Sequence, residues 1–355
     1  MKLQEIIKKA RISQNMTMLT LSNLSGIDQA LLSKYESGQR IPSEAHIQNL
    51  SRALEIPYTE IRTAYITEKI YEIIQFEETA KEALQAAEAR IEYLSSKQVF
   101  KLQQIHSSVQ EKLQIADTLR EVWLSKKPLN ATQLHKMKEY FALKYTFESN
   151  RIEGNTLTLQ ETQLVVNEGI TIGGKSMREH LEAINHSEAI DFVSTMLVGK
   201  VEISQRNVLE IHRLILKSID NENAGTYRKV QVRISGSEHV PPDWLLVPQM
   251  MNDFFTHYKK QKKKLHPILL AAEMHERLVT IHPFIDGNGR TARLLMNCIL
   301  LQHGYTIAIV KGDSDAKKQY YNALEQVQIH NNPNTFYELI VQNVIQSLQE
   351  HIELA

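Results

Sequence analysis

His282-Pro283-Phe284-Ile285-Asp286-Gly287-Asn288-Gly289-Arg290-Thr291-Ala292-Arg293 is the stretch of this 355-residue sequence whose local logic decides the rest. It follows an amphipathic run from His266 to Ile281, with Pro267 at a first-turn position that suits a helix start. It precedes a second run, Thr291 to Leu301, whose Leu294, Leu295, Cys298 and Leu301 share one side. Asp286 to Gly289 is therefore predicted as a tight turn opening onto a helix N-terminus. Glycines let backbone N–H groups converge there and the helix dipole adds partial positive charge, which together make an anion cradle. Arg290 and Arg293 stand three apart on one face of the first turn, and two guanidinium forks beside such a cradle suit a di- or triphosphate. Asp286 contributes one hard oxygen, enough for a Mg²⁺ that otherwise keeps waters and phosphate oxygens. His282, just before the turn, can act as a general base near neutral pH. A base, a metal carboxylate, a phosphate nest and two arginines within one short segment describe transfer from a nucleotide.

The same segment matches the H-P-F-x-[DE]-G-N-G-R-x-x-R signature of the Fic family at every position, and the resemblance extends over roughly residues 130 to 345. It implies AMP transfer from ATP to a protein Ser, Thr or Tyr hydroxyl, and leaves open whether the chain's own hydroxyls are among the targets. His282 would deprotonate the hydroxyl and Asp286 would hold Mg²⁺. Asn288 and Arg290, with the Gly287 and Gly289 backbone, would position the α- and β-phosphates, and Arg293 would meet the γ-phosphate. The related Doc branch, which transfers phosphate, departs from the G-N-G turn that this chain keeps.

Upstream, Leu134, Met137, Phe141, Tyr145 and Ile152 mark a stripe of a helix ending at Gly154. Taken alone, Glu153 near that C-terminus is mildly unfavourable, since the dipole there is negative. Ser149, Glu153 and Gly154, however, match the [ST]-x-x-x-E-[GN] inhibitory helix of the Fic subgroup that carries its inhibitor N-terminally, here at about 132–154. The resemblance implies that Glu153 pairs with Arg293 and occupies the γ-phosphate position. In some relatives the equivalent Glu also serves AMP removal, so that activity stays open. Downstream, Tyr320-Tyr321-Asn322-Ala323-Leu324 resembles the family's late helix beside the nucleotide, which brings Tyr321 into the nucleotide set. Alternation at Val230, Val232 and Ile234, with Ser235-Gly236-Ser237 at a turn, predicts a small β-hairpin flap.

The N-terminal text resembles the Cro-repressor-like helix-turn-helix family through Leu21, Gly26, Ile27, Leu32, Ser33, Tyr35, Glu36, Gly38, Arg40 and Pro42. Gly26 suits the φ > 0 corner of such a motif, and Asp28 suits the N-cap of a second helix running to Glu36. The exposed face would carry Gln29, Ser33 and Lys34 toward DNA, with Arg40 in reach of phosphate. Residues 1–60 hold seven basic and six acidic side chains, so one module would bind DNA weakly and a homodimer would be needed. A helical bundle for protein contacts is the other reading. The chain thus offers a second function class: a DNA-binding regulator whose Fic domain senses, de-AMPylates or transfers another group.

Positions 58–127 contain neither Gly nor Pro, which predicts a helical connector at 61–129 between the helix-turn-helix domain (1–60) and the Fic domain (130–350). Its stripes break register at Ser95-Ser96-Lys97-Gln98. It reads either as a hairpin packed on the C-terminal domain or as a dimerisation element. The expected class is mostly α. Basic and acidic residues balance at 41 each, so any basic site is local. A single cysteine, Cys298, excludes a Cys-built zinc site. With no apolar leader and no apolar run of the ~18 residues a span needs, the expectation is a soluble cytoplasmic protein without a membrane role.

Overall fold

The computed structural model describes residues 2–96, 105–127 and 129–355. The chain divides into two compact units, Met1–Glu88 and Ala89–Ala355. Among the described residues there are helices, turns and loops but no strand, so the mostly-α expectation holds. No helix among them is long and apolar enough to cross a membrane. Lys97 and Gln98 of the expected register break, and Pro128, which ends the stretch free of Gly and Pro, lie outside the described residues.

The first unit is built from α1 (Leu3–Ser13), α2 (Met18–Ser25), α3 (Gln29–Glu36), α4 (Glu44–Ala53) and α5 (Tyr58–Ile74), with α6 (Ala80–Ser96) leading into the second unit. The caps explain the boundaries. Thr17 accepts the Thr20 N–H, Asp28 accepts those of Ala30 and Leu31, and Ser43 accepts that of His46. Gly26 sits at φ +68° between α2 and α3, the left-handed corner the sequence requires. Leu3, Ile7, Leu21, Ile27, Leu32, Ile47 and Leu50 close one small core. A bidentate Arg11–Glu36 pair, at 2.6 and 2.9 Å, ties α1 to α3. Gln29, Ser33, Lys34 and Arg40 are all exposed.

In the second unit, α13 (Pro267–Ile281) and α14 (Asn288–Gln302) pack on each other at the centre. Both are buried nearly all round, as helices at the middle of a bundle must be. Around them lie α8 (Ala131–Ile152), α10 (Met177–Val198), α11 (Gln205–Leu216), α12 (Val247–Gln261), α15 (Ser314–Gln328) and α16 (Asn334–Leu354). The short α9 (Leu159–Glu168) covers α8 and α10. Helix α7 (Ser107–Ser125) buries Val109, Leu113, Ala116 and Trp123 in this same core and packs along α16.

The predicted hairpin flap is corrected by the structure: residues 229–242 contain no strand. The turn exists, with Gly236 at φ +77° and the Ser237 N–H donating to the Ile234 carbonyl at 3.2 Å. No ladder grows from it. An isolated two-stranded ribbon is marginal, and Pro241 and Pro242 bring no N–H to one arm. Side chains fasten the segment instead. Buried Arg228 donates to the Val230 and Pro242 carbonyls, and Gln231 Nε2 donates to the Pro241 carbonyl at 2.9 Å.

Candidate active site

The connection from α13 to α14 is where the side chains converge. His282 ends α13 in the left-handed region (φ 51°), costly for a residue with a Cβ. Arg228 compensates by gripping the loop: its Nε donates to the His282 carbonyl at 2.8 Å and its backbone N–H to the Pro283 carbonyl at 2.9 Å. The His282 ring turns Nδ1 toward the Val279 carbonyl at 3.3 Å. A carbonyl only accepts, so Nδ1 carries the proton and Nε2 keeps the basic lone pair. Burial, with Arg228 and His239 nearby, pushes the imidazole pKa down to about 4, so the ring is neutral at pH 7.

Asn288 shapes the turn. Its Oδ1 accepts the Phe284 N–H at 3.0 Å and its Nδ2 donates to the Phe284 carbonyl at 2.9 Å. Gly287, at φ +77°, is the N-cap of α14, so the first-turn N–H groups that follow lack intrahelical acceptors. A Cβ on Gly289 would lie 2.5 Å from Glu153 Oε1, so only glycine lets that carboxylate approach here. Arg290 and Arg293 are each 1% exposed. Arg290 Nε and Nη1 and Arg293 Nη1 are buried donors without a hydrogen-bond acceptor, a costly arrangement that suits an incoming anion.

Asp286 lies between two guanidinium groups. Arg290 Nη2 donates to its Oδ1 at 3.2 Å and Arg178 Nη2 donates to its Oδ2 at 2.5 Å. Burial works against the carboxylate's charge, but Arg290, the Gly287 N–H and Arg178 outweigh it and hold the carboxyl below its usual range. One partly exposed carboxylate beside a cradle of N–H groups fits a divalent cation that draws its other ligands from phosphate and water.

From the other side, α8 delivers the glutamate. Glu153 is the C-cap residue of α8, with Gly154 following at φ +99°. Its Oε1 accepts from Arg293 Nη2 at 2.6 Å. The same guanidinium donates to the Ser149 Oγ at 3.0 Å and the Ser149 carbonyl at 2.9 Å. Tyr321 is half-exposed, and its hydroxyl donates to the Ile152 carbonyl at 3.4 Å. His282, Asp286, the G-N-G turn, both arginines, Ser149, Glu153 and Tyr321 thus surround one site. The exposed residues Gln29, Ser33, Lys34 and Arg40 belong to the first unit.

Further residues of this site carry no sequence signal. Buried His212 accepts the Gly225 N–H on Nδ1 and donates from Nε2 to the Asp286 carbonyl, both at 2.9 Å, while its ring stacks on Phe284. Burial pushes its pKa down to about 4. Glu182 on α10 accepts from Arg178 Nε at 3.1 Å and lies 3.5 Å from Arg290 Nη1.

This geometry has relatives. The Fic/DOC family model matches residues 202–300, and a helix-turn-helix model matches residues 7–61. The chain carries a Fic domain and a helix-turn-helix domain. The protein adenylyltransferase Fic of Drosophila grimshawi is 39% identical over 193 residues, which is 54% of this chain and 38% of that protein. The chain therefore spans well under half of that curated relative. Among solved structures, a Fic-domain signalling protein from Bacteroides thetaiotaomicron is 28% identical, covering 68% of this chain and 96% of its own, with a TM-score of 0.63. Residues 134–508 of C. elegans Fic-1 are 26% identical, covering 98% of each chain, with a TM-score of 0.62. The matched Fic segment takes in α11, α12, α13 and most of α14, and with them the His282 to Arg293 loop.

Proposed function

We propose that this chain transfers AMP from ATP to a hydroxyl of a protein Ser, Thr or Tyr, and that Glu153 restrains the reaction. The observation that carries this reading is the His282–Arg293 loop. A neutral histidine with Nε2 as its lone-pair nitrogen stands beside an N–H cradle, and two buried arginines there hold unmade donors. His282 Nε2 takes the hydroxyl proton, and the hydroxyl oxygen bonds to the α-phosphorus as the bond to the bridging oxygen breaks. Pyrophosphate leaves. The first-turn N–H groups of α14 and Arg290 hold the α- and β-phosphates, Asn288 keeps the turn in shape, and Arg293 receives the γ-phosphate. Tyr321 borders the nucleotide. Bound at Asp286, Mg²⁺ would neutralise charge on the leaving phosphates.

With Glu153 on Arg293, the γ-phosphate loses its guanidinium partner and meets a carboxylate, so ATP does not seat productively. Ser149 supports the pair from the same helix face. The name of the Drosophila relative is consistent with this activity. Label placement tests it: α-labelled ATP should mark protein, and γ-labelled ATP should yield only labelled pyrophosphate. Protein labelled from the γ-position would overturn AMP transfer in favour of phosphate transfer.

A second reading, DNA binding by the helix-turn-helix domain, rests on the four exposed residues Gln29, Ser33, Lys34 and Arg40. Two copies of the chain would supply the electrostatics that one near-neutral module lacks. A shift assay on the chain's own upstream DNA across a salt series tests it, and binding insensitive to salt would sink it.

A further inference from the structure

Asp286 offers two carboxylate oxygens, and each already has a cation. The two cations differ in mobility. Arg290, on Oδ1, is 1% exposed and packed in the first turn of α14. Its guanidinium cannot leave without opening the core. Arg178, on Oδ2, lies in the first turn of α10 with 58% of its side chain exposed. It reaches Asp286 across 108 residues of sequence, and its Nε also donates to the buried carboxylate of Glu182 at 3.1 Å. A divalent cation that used Asp286 would need an unblocked carboxylate oxygen, and Oδ2 is the one whose partner can move. The second carboxylate lets Arg178 release Asp286 without losing every ion-pair partner, since the Nε–Glu182 bond can persist while Nη2 swings away.

We propose that Arg178 is the resident counter-cation of Asp286, holding Oδ2 until a divalent cation arriving with the nucleotide phosphates displaces it. This rests on the reading of Asp286 as the metal carboxylate. Arg178 is then a residue that sets the metal requirement of the site, separate from Glu153, which acts on the γ-phosphate. The balance is electrostatic: one guanidinium and one divalent cation compete for the same oxygen, and removing the guanidinium favours the metal. The pair is partly exposed, so the competition is modest and screened by salt.

The experiment measures Mn²⁺ binding to the full chain from the loss of the free-ion EPR signal, with and without saturating α,β-methylene ATP. The parent is Glu153→Gly, compared with Glu153→Gly carrying Arg178→Gln or Asp286→Asn. Arg178→Gln should tighten Mn²⁺ binding in the presence of the analogue by about two- to fivefold, the range of a partly exposed ion pair, and high NaCl should shrink the difference. Asp286→Asn should abolish the site. Unchanged or weaker Mn²⁺ binding in Arg178→Gln, with Asp286→Asn still abolishing it, would overturn the role of Arg178 and leave Asp286 as the metal carboxylate. Equal binding in all variants, Asp286→Asn included, would overturn both. AMP transfer itself is read separately from α-label.

Discussion

Replacing Glu153 by Gly removes one of three acceptors from the Arg293 guanidinium, leaving the Ser149 Oγ and carbonyl in place. A hydrogen bond between charged groups is worth about 1.5–3 kcal/mol when buried. Arg293 is buried but the Glu153 side chain is 29% exposed, so a contribution of about 1–2 kcal/mol is expected here. Two consequences have opposite signs. Without nucleotide, the variant should melt lower, by roughly 2–4 °C per kcal/mol for a domain of this size. With ATP, the triphosphate no longer competes with a carboxylate for Arg293, and the same 1–2 kcal/mol should return as about 5- to 30-fold tighter binding. Scanning calorimetry with and without ATP–Mg²⁺, together with titration calorimetry, reads both. Glu153→Gln separates charge from contact and should fall between. A variant that melts lower but binds ATP no tighter would refute the competition, because it would mean the pair only supports the fold.

Exchanging His282 for Ala should lower transfer by about 10²–10⁴-fold, the usual worth of a general base, while ATP affinity stays within about twofold of the parent. With the His282 pKa held near 4, transfer by Glu153→Gly should be flat from pH 6 to 8 and fall only toward pH 4, whereas an inflection near 6.5 would contradict the burial argument. Stability follows the sign for a depressed histidine: the neutral ring's contribution is complete above the unfolded value near 6.5 and is lost as pH falls from there toward 4, which a melting series reads. Gly289→Ala should break the Glu153–Arg293 pair, because the new Cβ meets Glu153 Oε1 at 2.5 Å, yet should not activate transfer, because the same methyl crowds the phosphate cradle; strong activation would argue against the cradle. If the N-terminal unit binds DNA, Lys34→Ala should reduce the slope of log affinity against log salt by about 1, and an unchanged slope would remove Lys34 from the interface.

The His282–Arg293 segment was legible because its chemistry is local: glycines at the turn, arginines one helical turn apart, a histidine at the preceding cap. Gly26 and Asp28 were legible for the same reason, since a left-handed corner and an N-cap are set by single residues. Glu153 was not local. Its approach to Arg293 depends on how α8 crosses the N-terminus of α14, and only the family resemblance pointed to it. Arg178, Glu182, His212 and Arg228 were missed because they reach the loop from α10, α11 and the segment after Gly225, at spacings no periodicity records. The flap failed in the opposite direction. Alternation at Val230, Val232 and Ile234 was real, but a strand needs a paired neighbour, and Arg228 satisfies the carbonyls at both ends instead.

The central claim, a histidine-driven AMP transfer held back by one glutamate, is tested most directly by incubating α-labelled ATP and Mg²⁺ with three proteins. These are the wild type, Glu153→Gly, and Glu153→Gly with His282→Ala, each alone and with added lysate. Strong labelling by Glu153→Gly, weak labelling by the wild type and none by the double variant is the expected pattern. Equal labelling by wild type and Glu153→Gly, or labelling that survives the loss of His282, would contradict it.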